Sequence, residues 1–434
     1  MKRITYLLIG LFGVLILWAC LRFYFLKRYD ILENTVSRDR RVVQKWPFDI
    51  KKLNGVYELH LNYRTELKNY SEYNILDQYI LQDGAKNRLL KFRDLIDIPD
   101  KLWKLPIDPR VTLVYPQAIN ISDAINRLID EKPLNEKPIN FPKFRYLSIS
   151  SQVCNPENPS SQELNLIIVV KSGIANFNKR REFRRLYSYL SHPSTHKLYG
   201  IRIGLVFSLG IPRQQKDNIF MRGNRTIRLD VSGGEFLNPE GLKEMAENLK
   251  REMETHSDII LGDYEDTYFN LSLKSQYVFT WAATFCRKSR PIFVFVDDDV
   301  PFCERRLLRS LLDLSPMERQ VLFHGRPLHG NKVFRFGRNE VEKWSVFKSE
   351  VPWPEFVPYL MGCYLIISFE NTEKIALGML FTQSLSVDDA WIGIIASRLG
   401  IQLKSVETIL RRYKMLTRKP VYLNHLDKIC MKFN

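Results

Sequence analysis

The chain has 434 residues, 45% of them hydrophobic and 12% aromatic, enough for one large core or for one core with an appendage. Its formal net charge of +17 admits nucleic acid, an anionic membrane surface or an acidic substrate as partner. The basic residues are spread along the chain with only short clusters such as "KRREFRR" at 179–185, and neither zinc-finger spacing nor an RNA-binding aromatic signature occurs, so nucleic acid is set aside.

Residues 4–21, "ITYLLIGLFGVLILWACL", carry no charge, and residues 23–26 extend the run past Arg22. An anchor, a cleaved signal peptide and a buried helix compete for this stretch. A buried helix does not suit a charged extreme terminus, and a signal peptide lacks small residues at a cleavage site. The favoured reading is an uncleaved anchor over 4–26 after a three-residue tail. Charge does not orient it, because Arg22, Lys27 and Arg28 balance Lys2 and Arg3. Four N-x-S/T sequons, at Asn69, Asn120, Asn224 and Asn270, are permissive of a lumenal location. Beyond Cys20 the cysteines are Cys154, Cys286, Cys303, Cys363 and Cys430. No C-x-x-C pair occurs, so one or two disulfides or plain buried thiols both fit.

Residues 27–160 read as a stem and accessory region: a polar stalk at 33–45, then helical spacing across 73–105, where Ile75, Leu76, Tyr79 and Ile80 recur. Proline-punctuated breaks at 131–142 and 154–161 place a boundary near 160, with the catalytic domain at 161–434. From Leu164 the pattern changes. Apolar runs at 164–170, 201–210, 257–264 and 291–296 alternate with helical stretches at 179–190, 239–256, 271–286 and 304–312. Strands alternating with helices predict a doubly wound α/β domain with a mostly parallel sheet, which binds ligands beyond the carboxyl ends of its strands.

Three aspartates, Asp297, Asp298 and Asp299, stand at such an end, in "PIFVFVDDDVPF". A solvated turn, a glycosidase pair, a helix N-cap and a divalent-metal site are the readings to weigh. A glycosidase wants carboxylates from separate segments, and a cap needs only one. Hard cations take carboxylate oxygens and leave positions open for phosphate, and alternate residues such as Asp297 and Asp299 can meet one ligand.

The surrounding sequence is more specific. Asp263 and Tyr264, then Asp266, Tyr268, Asn270, Leu271, Ser272, Lys274 and Ser275, then Trp281 and Cys286, then Asp297 to Val300, follow in the order of glycosyltransferase family 31. That family comprises β1,3-galactosyltransferases and β1,3-N-acetylglucosaminyltransferases. "VVKS" at 169–172, "RREFRRLY" at 180–187, "KWSV" at 343–346, "PYLMG" at 358–362 and "VDDAWIG" at 387–393 extend the resemblance over roughly 164–401. It implies a GT-A-type nucleotide-sugar fold, a Golgi membrane anchor with the catalytic domain in the lumen, Mn²⁺, a UDP-galactose or UDP-N-acetylglucosamine donor and a glycan acceptor. It further implies that Asp299, with Asp297, binds the metal and that Asp297, Asp298, Lys171, Arg180 and Arg184 lie on the donor side. Asp389 matches the general base, and His425 is the C-terminal candidate for completing the metal shell.

The pattern also departs from the family. Leu186 and Tyr187 replace Thr and Trp, Phe295 replaces a frequent Lys, and Tyr364 replaces the second Gly of G-x-G, where a bulky side chain is expected to narrow the pocket. Asp388 stands one methylene short of the family's Glu. Two functions follow: an inverting, Mn²⁺-dependent transferase forming a β1,3 linkage, or a silent relative that binds glycans or assists a partner transferase. Retention of all three aspartates and of Asp389 favours the enzyme.

Overall fold

Four of the apolar runs become the centre of a ten-stranded sheet. In chain order the strands are β1 (Phe48–Leu53), β2 (Val56–Leu61), β3 (Lys143–Ser148), β4 (Leu166–Lys171), β5 (Ile203–Ile211), β6 (Ile259–Glu265), β7 (Ile292–Asp297), β8 (Phe323–Gly325), β9 (Tyr364–Ile367) and β10 (Lys404–Ser405). The computed structural model describes residues 45–410 except 67–74, 83–87, 117–118, 214–218, 229–238 and 338–341. The expected anchor and His425 lie outside the described residues. Among those described, no helix is long and apolar enough to cross a membrane.

Across the sheet the order is β1-β2-β3-β6-β5-β4-β7-β9-β8-β10. The block β6-β5-β4-β7 is parallel, as expected from four strands whose residues are buried on both faces. Both flanks are antiparallel where they join it, through β3 on one side and β9 on the other. The sheet is therefore parallel at its heart and mixed overall.

The helices α1 (Ile121–Ile129), α2 (Phe177–Tyr187), α3 (Pro239–His256), α4 (Leu271–Phe285), α5 (Glu304–Leu312), α6 (Phe369–Gly378) and α7 (Asp388–Arg398) cover both faces. Alternation along β4 shows the division. Ile167 and Val169 enter the core shared with α4, α6 and α7, whereas Leu166, Ile168 and Val170 enter the one shared with α2, α3 and α5. Strand β4 is followed by β5 on one side and has β7 on the other, so the order reverses between β4 and β7. A doubly wound sheet opens a crevice at that point.

Two expectations for residues 27–160 change. The described residues of 73–105 form no long helix. They hold the short helices Asp77–Ile80 and Phe92–Ile96 and the strand pair Ile75–Leu76 with Leu89–Leu90, and prolines at 99 and 106 bar a continuous helix. The boundary near 160 does not divide the fold either. Tyr57, Leu59 and Leu61 of β2 alternate into the same core as α4, β3 pairs with β6, and residues from Trp46 onward form one compact unit. A disulfide from Cys154 to Cys286, just past the end of α4, crosses the expected boundary, while Cys303 and Cys363 are free.

Candidate active site

The crevice between β4 and β7 is lined by their last residues. Lys171 and Asp297 are register partners, and the Lys171 ammonium lies 3.0 Å from Asp297 Oδ1. Each strand alternates its side chains, so Asp297 shares a face with Phe293 and Phe295, whose rings stack toward α4. Phe295, in place of the frequent family Lys, is thus a core residue here.

Lys171 also donates to the carbonyl of Gly362 at 2.9 Å, and the Gly362 amide donates to Asp389 Oδ2 at 3.4 Å. One residue, Gly362, therefore ties the ammonium beside Asp297 to the carboxylate at the start of α7. A Cβ on Gly362 would stand 3.2 Å from the Asp389 Cβ and 3.7 Å from the Lys171 nitrogen, so a side chain there would press on Asp389 and need it to shift by a few tenths of an ångström. Burial opposes the charge on Lys171, but Asp297, Asp388 and Asp389 together raise its pKa above the ordinary value. Burial, reinforced by neighbouring Asp388, pushes Asp389 up to about 6, against the amides of Ala390 and Gly362 that favour its charged form. Asp388 accepts from Ser275 Oγ at 2.7 Å, which turns it away from the role open to Asp389.

The three aspartates of the turn are not alike. The Asp298 side chain is only 6% exposed, and its Oδ2 accepts from Ser172 Oγ at 2.6 Å and Asn176 Nδ2 at 2.8 Å. It holds the turn against the loop after β4. Asp299 is 60% exposed and meets only the Lys179 ammonium, at 3.0 Å, among the contacts described. Asp297 and Asp299 thus offer hard, accessible oxygens whose partners are ammonium groups, while Asp298 is committed to the fold. No group of three or more His, Cys, Asp or Glu side chains poised for a metal occurs among the described residues. The donor set fits a hard divalent cation that takes few protein ligands and fills its remaining positions with water and phosphate oxygens.

Arg180 and Arg184 lie behind the crevice. The Arg180 guanidinium is wholly buried, bonds Glu252, and reaches the site only through Ser172 Oγ at 3.2 Å and the Gly173 carbonyl at 2.7 Å. Arg184 bonds Glu252 and Asp258 and does not reach it. Tyr364 faces the opposite core, packed toward Phe302, because its register partner Val296 lies on that face. The expected narrowing of the pocket by its ring is therefore not found. Tyr187, in place of Trp, stacks on Phe302 at 4.4 Å and exchanges two hydrogen bonds with its backbone, which clamps the chain just after the aspartates.

Sequence reasoning named Asp266, Tyr268 and Lys274 as motif residues but gave them no structural role. Asn176 carried no local signal. Lys274 and Asp266 form a buried pair at 2.7 Å, and Lys274 also donates to the Ser172 carbonyl, which fastens the loop after β4 to the end of β6. The indole of Trp344 donates to the Tyr268 hydroxyl. Burial pushes Tyr268 up to about 12, with Asp388, Asp389 and Asp297 adding to the effect.

A family model described as galactosyltransferase matches residues 237–407, which include β6, β7, the aspartates and α7. The chain is 24% identical over 305 residues to a human lactosylceramide 1,3-N-acetyl-β-D-glucosaminyltransferase, covering 69% of this chain and 70% of the relative. It is 24% identical over 263 residues to a β-1,3-galactosyltransferase of Drosophila melanogaster, covering 60% and 68%. It is 25% identical over 268 residues to β-1,3-galactosyltransferase 1 of Mus musculus, covering 62% and 69%. The motif order, the crevice at the β4/β7 reversal and these likenesses agree, and over residues 237–407 the chain is similar to the galactosyltransferase family.

Proposed function

We propose that the chain is an inverting transferase that moves galactose or N-acetylglucosamine from a UDP-sugar onto a glycan in β1,3 linkage, in the Golgi lumen. The observation that carries this reading is the Lys171–Gly362 bridge, which sets Asp389 beside the donor-side carboxylate Asp297. Inversion needs a base on the acceptor side of the anomeric carbon, close to the donor and separate from its phosphates. Asp389 meets that need: among the contacts described its Oδ2 has the long amide contact from Gly362 alone, and its raised pKa makes it a stronger proton acceptor than an ordinary carboxylate. Lys171 holds the two acidic segments together and supplies positive charge where the diphosphate would lie.

Asp297 and Asp299 are the residues that would hold Mn²⁺. A bound divalent ion supplies Lewis-acid stabilisation of the charge on the departing diphosphate. Asp298, Ser172 and Asn176 position the turn.

The test is UDP release by the purified lumenal part of the chain from a panel of UDP-sugars, with Mn²⁺ and with chelator, beside Asp299→Ala. Release from one donor, abolished by chelator and reduced at least about 100-fold in the variant, is expected. UDP-sugar binding without metal, with equal release by the variant, would remove Asp299 from the site. Absence of any nucleotide binding would favour the silent relative.

A further inference from the structure

Asn224 stands at the tip of a hairpin made by Ile219–Arg222 and Arg225–Arg228. Arg222 is the register partner of Arg225, so Gly223 and Asn224 alone form the turn, and Gly223 has the positive φ, 58°, that such a two-residue turn places on glycine. The hairpin is pinned to the body of the molecule by Arg222 with Glu350 at 2.7 Å and by the edge-on rings of Phe220 and Phe269. Gly223 lies against the Phe347 ring, whereas Asn224 and Thr226 are both exposed. They are the acceptor and hydroxyl positions of an Asn-Arg-Thr sequon. The Thr226 hydroxyl meets only the weakly accepting Met221 sulfur, at 3.3 Å, among the contacts described.

Asn270 makes the opposite case. Its amide nitrogen donates to the Glu265 carbonyl at 2.9 Å, and the Ser272 hydroxyl of the same sequon is buried and donates to the Leu385 carbonyl. Both groups that a sequon presents are consumed by the fold, two residues from Tyr268. A glycan on Asn270 has to break that bond and find room against the crevice. One on Asn224 disturbs no contact described. The Cys154–Cys286 disulfide is an independent sign of an oxidising compartment, the kind in which sequons are modified.

We propose that Asn224 carries an N-linked glycan and that Asn270 does not; this rests on the lumenal placement in the proposed function. The co-substrate is an oligosaccharide carried on a lipid diphosphate. A bond forms from Asn224 Nδ2 to C1 of its first sugar, the C1–oxygen bond to the diphosphate breaks, the amide loses one proton, and the lipid diphosphate leaves.

The full chain would be expressed in a secretion-competent animal cell line and digested with peptide N-glycosidase in heavy-oxygen water. Peptide mass spectrometry is expected to find heavy-oxygen Asp at position 224 and unmodified Asn at 270. On a gel, Asn224→Gln and Thr226→Ala should each remove the same single glycan, the second without touching the acceptor residue. An unlabelled position 224, a labelled position 270, or mobility unchanged in both variants would overturn the assignment. Label at 120 with none at 224 would sink the assignment of this site while leaving the lumenal placement intact. Absence of label at every sequon, with Cys154 and Cys286 recovered as thiols, would sink both.

Discussion

Asp389 is ionised above about pH 6 and protonated below it, because burial beside Asp388 raises its pKa to about 6. In the proposed role of acceptor-side base it would act only when ionised, so kcat/KM should fall roughly tenfold per pH unit below about 6 and level off above it. Asp389→Asn should lower kcat/KM by about 10²–10⁴-fold and flatten that profile, read by initial rates across pH. The same shift has a stability consequence of opposite sense. The folded form holds the proton more tightly than the unfolded one, so this contribution is fully present below about pH 4 and lost as pH rises through about 6. Asp389→Asn should therefore melt higher than the parent at about pH 8, and not at about pH 4, by up to about 3 kcal/mol. At Asp299 the competitor for a cation is Lys179, half exposed, whose ammonium also lies 3.4 Å from Asp298. An exposed pair is worth at most about 1 kcal/mol, so Lys179→Met should tighten Mn²⁺ binding by about two- to fivefold in an electron-spin titration. Weaker binding would show that Asp299 does not take the ion. The acidic run and Asp389 were readable one residue at a time, but the unequal burial of the three aspartates was not, because it depends on Ser172 and Asn176 across the crevice.

Helix α2 was readable as a basic helix from its composition, and Arg180 and Arg184 were expected on the donor side. The fold turns both arginines inward. Arg180 and Arg184 share Glu252 of α3, and Arg184 reaches Asp258 at the entry to β6, so the cluster locks α2, α3 and the sheet together. Burial would raise the Glu252 pKa, but Arg180 and Arg184 outweigh it and hold the carboxyl below its ordinary range. Its contribution is therefore present at neutral pH and lost as pH falls through the lowered value. Glu252→Ala leaves buried guanidinium charge uncompensated and should cost about 3–5 kcal/mol in urea unfolding at neutral pH, with a smaller deficit in acid. A loss below about 1 kcal/mol would mean that the cluster is decorative. Helical periodicity says which face of α2 is charged, but it does not reveal that two charges are paired inside, because the partners lie more than 65 residues away.

At the scale of the molecule, the Cys154–Cys286 disulfide closes a loop with a sequence separation of 132 and joins the segment after β3 to the end of α4. Cross-links over loops of this size restrict the unfolded chain, and Cys154→Ser should lower stability by about 2–5 kcal/mol, read by thermal melts with and without reductant. Non-reducing peptide maps should recover Cys303 and Cys363 as thiols. Equal melting of parent and variant would mean that the bond does not form.

The sequence by itself determined the four central strands, most of the helices between them and the placing of the aspartates at a strand end, because apolar periodicity and strand length are local properties. It also carried the resemblance to the galactosyltransferases, through residues whose order survives at 24% identity. Only the tertiary structure decided that residues 48–61 and 143–148 complete the same sheet. The alternation of Tyr57, Leu59 and Leu61 was visible, but their partners were not, because strand pairing joins residues far apart in the chain. Only the tertiary structure, too, turned Tyr364 from the crevice and brought Lys171 to both Asp297 and Gly362. Those outcomes depend on which side of a shared sheet each strand end presents, a matter of register between neighbours that no single segment encodes.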